Sequence, residues 1–391
     1  MTGKNIDYYK GAIWIPIAIY LVLTRKNKVP VYLWFLIGFT IFHLISVYVF
    51  DLVSGGPSKW IMYLLADMNV TACLIFFIIE NTRFEDVFMR RMNRNILIVV
   101  IISTIVSIIQ TSDPYFMFNF EADKDLEYIG ESRTFSIYSW ININSMGITF
   151  PILISLLLNA YDTRNRSFPI IVVSGIVVAF LSRARYIMIS TIIAFSQLFM
   201  NSAISIKKKI AFILILVFSL LIMIRVAENF GFDINQVIEE RILEKENEMG
   251  SAKSRLTSLT VFMIKFPEHP WFGVGPETRD DVIRLLGGEA PLIHVGYLSY
   301  LYFYGIAGSL LLFLSIFFLM RDGWKVGRRF NFWGSFYGLI TFCLANATFV
   351  YFNLGEVGIV LSVLYIKYYR QVAEEEDAEE EEMDYLEEET A

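Results

Sequence analysis

Apolar residues recur along this chain in runs of roughly 17–25, the length that crosses a bilayer as an α-helix, broken by short clusters of charge. The runs predict helices near 8–24, 29–51, 59–80, 95–112, 140–160, 168–182, 184–202, 210–228, 300–320, 332–352 and 354–370. The sixth and seventh are short, so the count of eleven carries a range of ten to twelve. Two intervening segments are long, 113–139 and 229–299, and the second begins with a Glu/Lys-spaced stretch suited to a solvated helix. The fold class expected is all-α: a polytopic integral membrane protein, with a membrane domain over 1–370.

Composition agrees. The 391 residues are 55% apolar and 16% aromatic, with a mean hydropathy of +0.53. The net charge of −6 conceals an asymmetry: the last 20 residues hold 12 carboxylates, and without them the balance becomes +6. Residues 371–391 read as an acidic, disordered tail. Basic residues then orient the spans. Arg25, Lys26, Lys28, Arg83, Arg90, Arg91, Arg94, Arg164, Arg166, the 207–209 lysines, Arg321, Lys325, Arg328, Arg329, Lys367 and Arg370 all fall on one side of the alternation. That side is the cytoplasmic one by the positive-inside rule, which leaves both long loops and the N-terminus outside. The N-terminus has no signal-peptide cleavage pattern, so its first run is expected to stay as an anchor. Cys73 and Cys343 lie inside apolar runs and read as packing residues, not as a disulfide or metal pair.

Candidate chemistry concentrates at the outer ends of the helices. Asp123-Lys124-Asp125 could hold Mg²⁺, but with Glu121, Glu127 and Glu131 around it the segment reads better as a solvated acidic loop. Arg133 stands eleven residues before Asn144, which opens the fifth helix. Arg183 and Arg185 interrupt the run 168–202, and a guanidinium is far cheaper at a surface turn than at mid-bilayer. Two positions apart on a helix, they cannot both face one cavity. Ser254 is a candidate N-cap for a helix opening on Arg255, with Leu256, Leu259, Met263 and Phe266 as its apolar stripe. Pro267 and Pro270 stop that helix, and Gly273, Gly275 and Pro276 form a tight turn whose backbone N–H groups could face an anion. His294 precedes a tyrosine-rich helix start containing Tyr297, and an imidazole there would titrate near neutrality and could act as a base. His43 and His269 read as a packing and a turn residue.

In order, the motifs are Arg133…Asn144, Ser182-Arg183, Ser254-Arg255, HPWFGVGP at 269–276 and IH…YGIAG at 293–308, the last carrying Gly305 and Gly308. This succession resembles the Wzy-type polysaccharide polymerases and the related O-antigen ligases over roughly 130–310. Members of that family usually carry a polar residue directly after the histidine, where this chain has Val295.

The resemblance implies a GT-C-like membrane glycosyltransferase working at the outer face of a bacterial cytoplasmic membrane on undecaprenyl-diphosphate-linked oligosaccharide. It implies no cofactor, no metal and no nucleic acid, with membrane lipid around it and a chain-length regulator and a flippase as partners. Arg183 and Arg255 would bind the diphosphate, since a guanidinium fork suits phosphate. His294 would take the acceptor proton, and Arg133, Asn144, Gly273, Gly275 and Tyr297 would contact substrate. The motifs are common to polymerases and ligases; polymerase is the first expectation because it occurs in both Gram-negative and Gram-positive bacteria. A lipid-linked glycan flippase is the reading from another class, and it would place its charges within central helices.

Overall fold

The structure, a computed structural model, describes residues 4–24, 28–54, 67–113, 116, 136–137, 143–161, 164–182, 185–201, 205–207, 209–210, 214, 259–275, 295–347 and 354–390. Ten α-helices are described: α1 (Lys4–Thr24), α2 (Val31–Ser54), α3 (Met68–Glu80), α4 (Asp86–Ile109), α5 (Ile143–Ala160), α6 (Ser167–Leu181), α7 (Arg185–Met200), α8 (Gly296–Phe330), α9 (Gly334–Asn346) and α10 (Val357–Thr390). Residues 259–265 are also helical and lead into a 3₁₀ turn, Phe266–Glu268. No strand occurs among the described residues. The expected span 210–228 and most of the loops 113–139 and 229–299 lie outside them.

α4 turns an apolar face outward and small polar side chains inward, the reverse of a helix in water. On α4, Ile98, Ile102, Ile105 and Ile108 are exposed, whereas Ser103, Thr104 and Ser107 are buried. Small polar residues at such interfaces let backbones approach and hydrogen-bond across helices; the Ser155 hydroxyl on α5 donates to the Gly334 carbonyl at 2.8 Å. By length and composition α4 and α8 can each cross a membrane. The core runs through α5, α8, α9 and α10, with Phe150, Ile152, Leu312, Phe342 and Ile366 all buried.

One end of the bundle gathers the basic residues that the charge pattern put together. Lys28 reaches Glu374 at 2.6 Å, Arg83 reaches Glu375 at 2.8 Å and Arg329 reaches Asp377 at 2.7 Å. Beneath these, Arg370 pairs with Glu80 on α3, which also accepts a 2.7 Å bond from the Tyr32 hydroxyl on α2. Here the structure corrects an expectation. The tail does not begin as disordered chain at 371; α10 continues as helix to Thr390. Glutamate is a good helix former, and the first tail turns are held by cations from three separate segments. The same continuity extends α8 through Arg328 and Arg329, whose charges suit a helix C-terminus. Asn331 then ends α8 in the left-handed conformation and donates to Asn201 at 2.7 Å, which fixes the end of α7 at this same basic end.

Candidate functional site

At the opposite end, the HPWFG segment is locked into α8. Gly305 has φ 61° and ψ −167°, which breaks the helix within its first three turns. In an unbroken helix the N–H groups of Ile306 and Ala307 would donate to the carbonyls of Tyr302 and Phe303. Instead they donate to Pro270 and Trp271 at 2.8 and 3.0 Å, while Val274 and Gly275 donate to the Tyr302 and Phe303 carbonyls at 3.1 and 2.9 Å. The loop therefore inserts its backbone between two half-helices and satisfies both cut ends. Backbone freed inside a membrane protein is tolerated only when protein re-satisfies it in this way.

Two glycines make the insertion sterically possible. A Cβ on Gly273 (φ 70°) would lie 2.4 Å from the Phe303 carbonyl, and one on Gly305 would lie 2.4 Å from the Trp271 carbonyl carbon. Both contacts are with backbone, which cannot swing aside. Phe272 stacks on Phe42 of α2 at 6.3 Å between ring centroids, tying the loop to a second helix.

This geometry revises two of the expected roles. The Gly275 N–H is spent on Phe303, and the Gly273 N–H on the His269 carbonyl at 3.0 Å. Neither is left to face an anion, so the two glycines shape the site through packing. Tyr297, on the first turn of α8, donates its hydroxyl to the Cys343 carbonyl of α9 at 2.7 Å, a helix-to-helix strap. His269 is exposed at the turn, as its sequence context suggested.

Of the remaining candidates, only Asn144 falls within the described residues. His294 lies outside the described residues and directly precedes Val295, the extended N-cap of α8. Asn144 sits in the first turn of α5. That helix meets the start of α7 closely, since a Cβ on Gly147 would run into the Tyr186 ring at 2.0 Å. Arg133, Arg183 and Arg255 lie outside the described residues, as do Asp123 and Asp125. Among the described residues no group of three or more His, Cys, Asp or Glu side chains is placed to hold a metal ion.

A second constellation was not legible as a site. The His43 imidazole bridges the Tyr304 hydroxyl (Nδ1, 2.7 Å) and the Asp67 carboxylate (Nε2, 2.7 Å). Asp67 is also the N-cap of α3, accepting from the Asn69 and Val70 amides at 2.8 and 2.9 Å. An Asp just before an apolar run is a cap signal, but nothing local in the sequence ties it to His43 or Tyr304. At the start of α10, Glu356 lies 3.5 Å from the Thr149 hydroxyl of α5. Two clefts in the described residues lie elsewhere: an apolar one of about 370 Å³ between α1, α2 and α3, and one of about 220 Å³ at the basic end, beside Arg90 and Tyr368.

An all-helical protein with a glycine-broken helix clamped on the loop 270–275 is the class this geometry defines. Comparison with known families gives the finer placement: residues 170–313 match the family model described as O-antigen ligase. The match contains the inserted loop, the broken start of α8 and the segments bearing Arg183, Arg255 and His294, and it supports the O-antigen ligase and polymerase family that the motifs resemble. That family is membrane-integral and handles lipid-linked glycans. No curated protein matches the chain.

Proposed function

We propose that this protein is a polysaccharide polymerase that joins undecaprenyl-diphosphate-linked repeat units at the outer face of a bacterial cytoplasmic membrane. The interlock of loop 270–275 with α8 carries the reading. It lies within the matched residues, at the end of the bundle opposite the basic clusters, and it fixes the start of α8 directly after His294. Arg183 and Arg255 take the diphosphate through paired N–H donors, supplying the positive charge that a leaving diphosphate requires. His294 removes the proton from the acceptor hydroxyl as that oxygen attacks the anomeric carbon. The anomeric C–O bond to the diphosphate breaks, and the diphosphate leaves with its electron pair. Arg133 and Asn144 contact substrate. About eleven spans, counting the segment near 210–228, enclose the site.

The experiment is direct. Purified protein is mixed with a lipid-diphosphate-linked oligosaccharide, and products are resolved by size. A ladder of lengthened glycans is expected. A single transfer that occurs only when a lipid A-core acceptor is added would replace this reading with that of an O-antigen ligase, the activity named by the family description. Movement of intact lipid-linked glycan across vesicles without any new glycosidic bond would replace it with a transporter.

A further inference from the structure

The Asp67–His43–Tyr304 chain has a place in the fold that packing alone does not require. Its members come from α2, the N-cap of α3 and the turn of α8 immediately before Gly305. Only Tyr304 lies within the residues that match the family model. Two members of the chain are enclosed, Tyr304 and His43 at 4% and 5% exposed, and Asp67 is half-buried beside them. Phe39 packs edge-on against Tyr304 at 5.2 Å and lies against His43 at 6.3 Å. Phe42 touches Tyr304 and also stacks on Phe272 of the inserted loop. One turn of α2 therefore grips the broken helix through His43 and the loop through Phe42.

An ionised Asp67 only accepts, so His43 Nε2 donates to it, while Nδ1 and the Tyr304 hydroxyl share the second bond of the chain. Each polar atom in the chain is then satisfied, and the arrangement fixes both the rotation of the turn ending at Tyr304 and its height along α2. The helix break makes such a constraint necessary. Residues 296–304 have lost the two backbone bonds that would have coupled them rigidly to the rest of α8. At the basic end α2 and α3 are joined independently by Tyr32 and Glu80. The upper tie is thus not needed simply to pair those two helices.

We propose that Asp67, His43 and Tyr304 are positioning residues for the transfer reaction. They hold the segment 296–304, and with it the start of α8 after His294, in register with the docked loop. This role rests on the function proposed above, and its test separates the two. Tyr304→Phe, His43→Gln and Asp67→Ala are compared with Asp67→Asn, which keeps both the cap and an acceptor for His43. Tyr32→Phe serves as the control, because it removes a buried hydrogen bond between the same two helices at the far end.

Two quantities are read in lipid nanodiscs: amide hydrogen exchange over 296–307, and kcat and KM for lipid-linked oligosaccharide. The expected result is faster exchange confined to 296–307 in the first three variants, with kcat lowered roughly ten- to a hundred-fold and KM for the donor little changed. Asp67→Asn should recover most of the rate, and Tyr32→Phe should leave both readouts as in wild type. Unchanged exchange and kcat in Tyr304→Phe and His43→Gln would overturn the proposal, as would an equal loss of kcat in Tyr32→Phe. If wild type transfers no glycan at all, the functional reading fails, while the exchange pattern still decides whether the chain holds α8.

Discussion

Replacing Gly305 by alanine tests the interlock at its tightest point. The added Cβ would meet the Trp271 carbonyl carbon at 2.4 Å and the Phe272 nitrogen at 2.5 Å. Relieving that overlap to an ordinary contact needs a retreat of about 1 Å. Such a shift stretches the four loop-to-helix hydrogen bonds, now 2.8–3.1 Å, out of effective range. Each contributes about 0.5–1.5 kcal/mol net, so undocking forfeits about 2–6 kcal/mol. The alternative, keeping alanine at this positive φ, costs about 1–3 kcal/mol before any overlap is counted. By the undocking route docking weakens by at least about 2 kcal/mol, a factor of roughly 30 in the opening equilibrium. Hydrogen exchange of peptides spanning 270–275 should accelerate by about that factor, and turnover should fall with it. Gly38→Ala is the control on a neighbouring helix, because its Cβ meets only the Leu311 side chain at an ordinary 3.7 Å. Wild-type exchange and turnover in Gly305→Ala would refute the claim that the loop is clamped through this glycine.

Four further outcomes are expected, three from the proposed function and one from the basic end of the bundle. Activity should persist in EDTA and in Asp123→Ala/Asp125→Ala, since arginines are assigned to the diphosphate; loss in chelator with rescue by Mg²⁺ would return the 123–125 pair to the mechanism. Arg183→Lys and Arg255→Lys should each fall well below wild type while folded, because lysine keeps the charge but not the fork. His294→Ala should still bind donor while turnover drops about 10²–10⁴-fold, so near-normal turnover there would place the base elsewhere. At the basic end, Arg329 beside Asp377 holds that carboxyl below its ordinary range. A depressed carboxyl contributes stability that is present above its unfolded value and lost as pH falls through the folded one. The tail should therefore stay clasped at neutral pH and become susceptible to protease only below about pH 4 in low salt; release on raising the pH from 5 to 8 would contradict the pairing.

Much of the helical framework was legible because it is local. A continuous apolar run reports the helix that can bury or immerse it, and α2, α4, α5 and α10 start or end within a few residues of the runs that announced them. The common location of Lys28, Arg83 and Arg329 was also legible, since alternation of spans is a counting rule. The acidic tail was misread because composition weighs its repulsion and cannot see Lys28, Arg83 and Arg329 waiting for Glu374, Glu375 and Asp377.

The candidate site divides along the same line. The sequence by itself determined the motifs, the rigid turn after Pro270 and the glycine in the next helix, because these depend on residue types at short spacing. Only tertiary structure decided what they do. The bonds between 270–275 and 302–307 are made by backbone groups, which every non-proline residue carries, so no side-chain pattern marks which amides will exchange partners. The His43–Asp67 and His43–Tyr304 bonds span 24 and 261 positions. A lone histidine in an apolar helix gives no sign of which distant acid and phenol will close around it, because that choice is made when α2, α3 and α8 pack.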